Sequence, residues 1–182
     1  GFCEKQDYAG LIEYLIKGMK NLAAAGAEYA ALTGITPHIV FDELSKESPI
    51  PVISMVDTAR DYAVERGYKK ICLLGTLPTM NGIFFQKSFA ERGVEVVTPN
   101  EEEKNYIGRK IETELEFGKV LPETQKEFKR IAERIIREEN VQAVVLGCTE
   151  LPLIFAGVDL LVPYIDVMQV HIGAIVDLIL RD

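Results

Sequence analysis

Short apolar runs and helix-length amphipathic stretches alternate along this chain, and that alternation limits its fold more than any other feature. Leu11, Leu15, Met19 and Leu22 recur at helical spacing over residues 10–27, and Gly26 ends the pattern. Residues 29–32 then read as a strand. Residues 37–45 read as a helix, with Thr36 as N-cap and Pro37 in the first helical position. The order repeats, with strands expected at 51–54, 70–74, 94–98, 141–146 and 160–162. Helices are expected at 56–66, 79–91, 101–117, 123–139 and 167–180. Strands separated by helices pair in parallel and are covered on both faces, so the class is α/β. The first convincing element is a helix, whereas a doubly wound lobe normally begins with a strand.

Composition narrows the function. The chain has 182 residues, of which 48% are hydrophobic and 26% charged, enough for one domain or two small lobes with a real core. The formal charge of -8 argues against a broad nucleic-acid footprint. No apolar stretch is long enough for a bilayer, and the opening Phe2-Cys3-Glu4-Lys5 is not a targeting pattern. The cysteines at 3, 72 and 148 show no paired spacing, which favours a reducing, cytoplasmic setting.

In open parallel sheets, ligands bind beyond the carboxyl ends of the strands. Small polar residues follow those ends at Thr33–His38, Gly75–Thr79 and Gly147–Glu150, where free N–H groups and threonine hydroxyls suit a carboxylate. Cys148 follows the most hydrophobic strand, where backbone donors lower a thiol pKa and make it a base or nucleophile. The competing reading is an inert buried thiol. Glu150 is either a proton-steering group or a helix-cap acid. Cys72 reads as core, and Cys3 carries no assignment. His38 faces the pocket or the surface; His171 leans toward a structural hydrogen bond. Neither histidine has a second ligand at metal-like spacing, so no metal is expected. Glu101–Glu103 read as solvated first-turn charges. There is no Walker pattern, complete G-x-G-x-x-G or H-E-x-x-H.

Taken together, Gly147-Cys148-Thr149-Glu150-Leu151-Pro152-Leu153 resembles the second catalytic motif of the aspartate/glutamate racemase family. Thr36-Pro37-His38 through Leu44 resembles the stretch after its first motif. Gly75-Thr76-Leu77-Pro78-Thr79-Met80, Glu101–Glu103 and Val170-His171 through Asp177 match further segments in order. The resemblance implies two similar three-layer α/β lobes with the active site in the cleft between them. It assigns residues 1–66, completed by 166–182, to the first lobe and 67–165 to the second. It also implies a racemase that uses no cofactor and exchanges the Cα proton of a small acidic amino acid, aspartate before glutamate. By resemblance Cys148 is one acid/base; Thr36 and Thr149 bind the α-carboxylate region, joined by His38. Thr76 and Thr79 line the cleft, Lys119 meets an acidic side chain, and Glu150 and His171 support the site.

The first motif departs from the family pattern of cysteine-asparagine-threonine. Here the run is Gly34-Ile35-Thr36, with Thr33 just before it as the substitute for the absent first thiol. Nor is there a counterpart to the family's glycine-rich first strand, so the first lobe is expected to be incomplete. An uncovered sheet edge there points to a homodimer. The departures keep two alternatives in play: a weak or inactive relative that binds a small carboxylate or serves in an assembly, and a one-thiol isomerase or decarboxylase of a small diacid.

Overall fold

The computed structural model describes residue 2 and residues 5–180. Cys3 lies outside the described residues, as do the ends of the 1–66 and 166–182 segments. In chain order the elements are α1 (Tyr8–Ala24), β1 (Ala30–Ala31), a 3-10 turn (Thr36–Val40), α2 (Phe41–Glu47), β2 (Val52–Ile53) and α3 (Met55–Glu65). Then follow β3 (Lys70–Gly75), α4 (Leu77–Asn81), α5 (Ile83–Ala90), β4 (Glu95–Val97), α6 (Glu101–Thr113) and a second 3-10 turn (Leu115–Phe117). The chain continues with α7 (Pro122–Glu139), β5 (Ala143–Gly147), α8 (Leu151–Phe155), β6 (Tyr164–Asp166) and α9 (Val167–Ile179).

The α/β expectation holds. Strands β1 and β2 form a small parallel sheet, and β4-β3-β5-β6 form a larger one in which every pairing is parallel. The larger sheet is apolar on both faces because its central strands alternate between two cores. Cys72, Leu74, Val144 and Leu146 point toward Ile107, Ile111, Phe128, Ile131 and Phe155. Ile71, Leu73, Ala143 and Val145 point the other way, toward Met55, Ala59, Phe85, Phe89 and Ile165. A smaller cluster of Ile16, Met19, Ala30, Leu32 and Leu44 fills the first lobe. Helix α3 joins the first lobe's sequence to the larger sheet's core through Met55, Val56, Ala59 and Ala63. Among the described residues, no helix is long and apolar enough to cross a membrane.

Several elements differ from the sequence reading, each for a local reason. The expected helix over 79–91 is two helices separated by Gly82, whose backbone is extended (φ -72°, ψ 142°). A Cβ there would sit 2.8 Å from the Pro78 carbonyl oxygen, so only glycine permits this break. The strand expected at 160–162 instead runs Tyr164–Asp166. Pro163 has no N–H for a ladder, but its carbonyl accepts the Val144 N–H at 3.0 Å and starts the pairing. Thr36 is not an N-cap: it lies inside a 3-10 turn whose capping position is Ile35. Glu103 is not a solvated charge. It is buried, completes a capping box with Asn100, and is ion-paired to Arg134 and, at 3.6 Å, to Arg130.

Gly75 and Gly147 face each other in the β3–β5 register. A Cβ on Gly147 would lie 2.8 Å from the Leu74 carbonyl oxygen and 2.7 Å from Leu73 Cδ1. The backbone oxygen cannot yield without disturbing the strand. Gly147→Ala should therefore lower stability by about 1–3 kcal/mol, seen as a lower urea midpoint at unchanged slope. An unchanged midpoint would refute this account of the contact.

Candidate active site

The two glycines that bring β3 and β5 together also set their successors side by side, with Thr76 following one and Cys148 the other. Thr76 caps α4, its hydroxyl accepting the Thr79 N–H at 3.4 Å. The Thr79 side chain is fully buried below it, and Thr76 Oγ1 donates to Thr79 Oγ1 at 3.0 Å. Thr36 arrives from the turn beyond β1, its Oγ1 lying 3.0 Å from Thr76 Oγ1 and 3.2 Å from Thr79 Oγ1. The three hydroxyls close a triangle that joins the two sheets at their carboxyl ends. Each hydroxyl is both donor and acceptor, so the triangle can turn its protons toward an incoming anion.

Cys148 is partly buried, and its thiol donates to Glu150 Oε2 at 2.9 Å. Thr149, exposed beside it, donates its hydroxyl to the same oxygen at 2.7 Å. Burial first, and the bond to Glu150 second, push the thiol up to about 12, with the Glu116 charge adding to the effect. Burial alone would raise the Glu150 carboxyl as well, but the thiol and hydroxyl bonds outweigh it and its pKa ends below the usual carboxylate value. The pair therefore rests as a thiol on a carboxylate. The lowered thiol pKa expected at this strand end is not found: the backbone contribution does lower it, but burial dominates. Cys72 is fully buried in the core, as its position within the strand implies, and burial raises its thiol pKa.

The remaining candidates are dispersed. Thr33 lies on an exposed bend after β1, and no hydrogen bond among the described residues ties it to the hydroxyl triangle. Lys119 is exposed; its backbone N–H bonds the Glu114 carbonyl at 2.9 Å and its ammonium lies 6.0 Å from the Phe117 ring centroid. Its loop also carries Glu116, whose charge reaches Cys148.

The sequence leaves His38 between pocket and surface, and the resemblance sets it with the substrate; the fold instead buries it and commits both ring nitrogens to the backbone. Nδ1 lies 3.0 Å from the Gly34 carbonyl oxygen and 3.2 Å from that of Ile35, while Nε2 accepts the Met55 N–H at 3.0 Å. That pattern requires the neutral ring with its proton on Nδ1 and leaves no ring nitrogen free for a ligand. His171 is also buried, with Nδ1 3.3 Å from Thr58 Oγ1.

At the altered first motif, a Cβ built on Gly34 would meet only Pro37 Cδ, at 3.7 Å, so the backbone there has room for a Cβ. Ile35 is 4% exposed and belongs to the core with Met55 and Phe85. Sequence reasoning missed Met55 and Thr58. The Ser54 cap, whose hydroxyl accepts the Asp57 N–H at 3.0 Å, marks the start of that helix, but no local pattern identifies Met55's amide or Thr58's hydroxyl as partners of histidines. A hollow between α3 and α9, lined by Thr58, Tyr62, Val170 and Gly173, lies apart from the residues around Cys148. The candidate site is assigned by side-chain chemistry rather than by concavity.

A family model described as Asp/Glu/Hydantoin racemase matches residues 2–175. An aspartate racemase homologue from Pyrococcus horikoshii OT3 superposes with a TM-score of 0.86 at 37% identity, covering 97% of this chain and 77% of its own. A proposed Asp/Glu racemase from Yersinia pestis superposes at 0.90 with 28% identity, covering 98% and 78%. The broad specificity amino-acid racemase RacX of Bacillus subtilis is 22% identical over 161 residues, 88% of this chain and 68% of that protein.

The His38 ring yields a pH prediction. Burial holds its pKa at about 4, against 6.5 for a free ring, so between these values the unfolded chain binds more protons than the folded one. Stability should be greatest above pH 6.5 and fall as pH drops toward 4, by roughly 3 kcal/mol at full effect. Burial lowers the His171 pKa as well, so its contribution has the same sign. Urea unfolding across this range should show a shallower pH slope for His38→Gln than for the unaltered protein; identical slopes would remove His38 as a source.

Proposed function

This chain belongs to the Asp/Glu/Hydantoin racemase family, and on that premise we propose that it exchanges the Cα proton of a small acidic amino acid. Aspartate is the first choice and glutamate the second. The carrying observation is the triangle of Thr36, Thr76 and Thr79 hydroxyls beside the strand end that presents Cys148. An α-carboxylate bound to the Thr36 and Thr76 hydroxyls, with the buried Thr79 hydroxyl orienting them, and to Thr149 brings Cα toward the thiol. Negative charge that builds on the carboxylate as Cα loses its proton is then met by preset donors. Cys148 acts as the acid when its proton passes to Cα, and Glu150 takes that proton when Cys148 acts as the base. On the other face Thr33 is the candidate partner, and Lys119 would pair with the substrate's side-chain carboxylate.

The lobes divide as residues 1–66 with 166–182, and 67–165. We assign the protein to a reducing cytoplasm, supported by cysteines without paired spacing. We also propose a homodimer, supported by the exposed Ile172, Val176 and Ile179 along α9. Sedimentation of the unaltered protein tests it, and a monomer at micromolar concentration would exclude it.

A second reading is favoured by one pair of observations. Gly34 offers no proton acceptor, and the resting thiol of Cys148 is protonated. Those features suit a one-thiol isomerase or decarboxylase of a small diacid. In decarboxylation the breaking C–CO2 bond leaves its electron pair on Cα, the thiol delivers its proton there, and water reprotonates the sulfur. No base is needed at Gly34.

Proton NMR of L- and D-aspartate in D2O separates these readings. Racemisation predicts Cα exchange with inversion, reduced about 10²–10⁴-fold by Cys148→Ala. Exchange with retention would leave only a one-thiol half-site, and aspartate binding without exchange would identify a binding relative. Because Gly34 has room for a Cβ, Gly34→Cys should raise the inversion rate at least tenfold. No gain in a folded variant would refute the claim that the missing thiol limits turnover.

A further inference from the structure

Two buried imidazoles are left without chemistry by the proposed reaction, and they are connected. His38 Nε2 accepts the N–H of Met55, the first residue of α3. The carbonyl of the same residue accepts the Thr58 hydroxyl at 3.0 Å. Thr58 Oγ1, its proton already used, can only accept from His171, at 3.3 Å from Nδ1. That fixes His171 as the neutral ring with its proton on Nδ1, the same tautomer as His38. At the far end, His38 Nδ1 donates to the carbonyls of Gly34 and Ile35, and the His38 N–H bonds Ile35 O at 2.8 Å. One polar chain thus runs from α9 through the first turn of α3 to the turn that delivers Thr36.

The His171 ring needs an explanation of its own. Among the described residues its Nε2 is buried with no hydrogen-bond partner, an arrangement that costs free energy and that an aliphatic side chain would avoid. Its polar attachment among the described residues is Thr58. An imidazole kept under those terms is there for that one bond.

We propose that Thr58 and His171 are positioning residues for the Gly34–Thr36 turn, clamping Met55 so that its amide holds the His38 ring, and with it Thr36, in place. Neither touches the site; each acts through the backbone of Met55. The consequence for substrate rests on the reading in which Thr36 meets a carboxylate. The clamp itself does not.

Because the chain has two histidines, long-range proton–nitrogen NMR of its imidazoles can resolve both rings. In the ligand-free, unaltered protein at pH 7, both should be neutral with the proton on Nδ1. His171 carrying its proton on Nε2 would overturn the proposal, whatever any variant does. Thr58→Val keeps the side-chain shape and removes the hydroxyl. It should shift the His171 ring signals, the His38 ring signals and the Gly34 and Thr36 amides together, and Thr58→Ser should restore them. Shifts confined to His171 would overturn the proposal.

A pH titration adds a readout that general destabilisation does not move. With the clamp released, the His38 pKa should rise by at least one unit toward 6.5; the titratable groups whose charges reach that ring are Asp57 and His171. The same samples titrated with L-aspartate should show at least tenfold weaker binding for Thr58→Val. Shifted Thr36 signals with unchanged aspartate affinity would refute the carboxylate role of Thr36 and leave the clamp standing.

Discussion

The close approach of two backbones at Gly75 and Gly147 is the contact on which the rest of this structure depends. A Cβ on Gly75 would come within 2.9 Å of the Gly147 carbonyl oxygen, so the β3–β5 pairing reaches its last rung only because both residues lack one. That rung decides where the polar residues begin. One residue later on β3 is the cap of α4; one residue later on β5 is a thiol. The apolar alternation below it places one face of each strand against α6 and α7 and the other against α3 and α5. The candidate site is thus the polar edge of a sheet whose interior is closed on both sides.

The parts of the fold that could be read from sequence are those fixed by local pattern. The apolar runs 70–74 and 141–146, buried on both faces, announced a parallel sheet, and glycines marked most helix ends. Tertiary contacts hid the rest. At the Gly82 break the Pro78 carbonyl leaves no room for a Cβ, and the 164–166 strand takes its register from a bond to Val144. Glu103 looked like a solvent charge because Arg134 is distant in sequence. Motif resemblance picked out Thr36, Thr76 and Thr79, which the fold brings within hydrogen-bond distance of one another, and the core position of Cys72 followed from its place within a strand. His38 misled because its flanking residues say nothing of Met55, whose amide occupies the ring.

The chemistry of Cys148 is set by competition between solvation and a single neighbour. Half-buried thiols hold their protons, and a carboxylate acceptor at 2.9 Å strengthens that hold. Glu150 therefore stabilises the acid form of its partner. At Gly34 there is no side chain to play a comparable part, and Ile35 beside it belongs to the core. The two strand ends are chemically unequal: one carries a protonated thiol on a carboxylate, and the other a glycine with room for a Cβ.

Asp166 closes β6 and in the same residue caps α9, its carboxylate accepting from the Met168 and Gln169 amides at 3.0 and 3.2 Å. No linker separates strand from helix. The sheet and α9 are therefore geared without slack, and one inserted residue at that junction would rotate the helix by about 100° relative to its strand. The neighbouring segment Ala156–Leu161 is irregular, with Gly157 at positive φ, yet Val158 and Leu160 still pack against the core. The step from Asp166 to Val167 works as a ratchet tooth whose count sets which face of α9 meets the sheet.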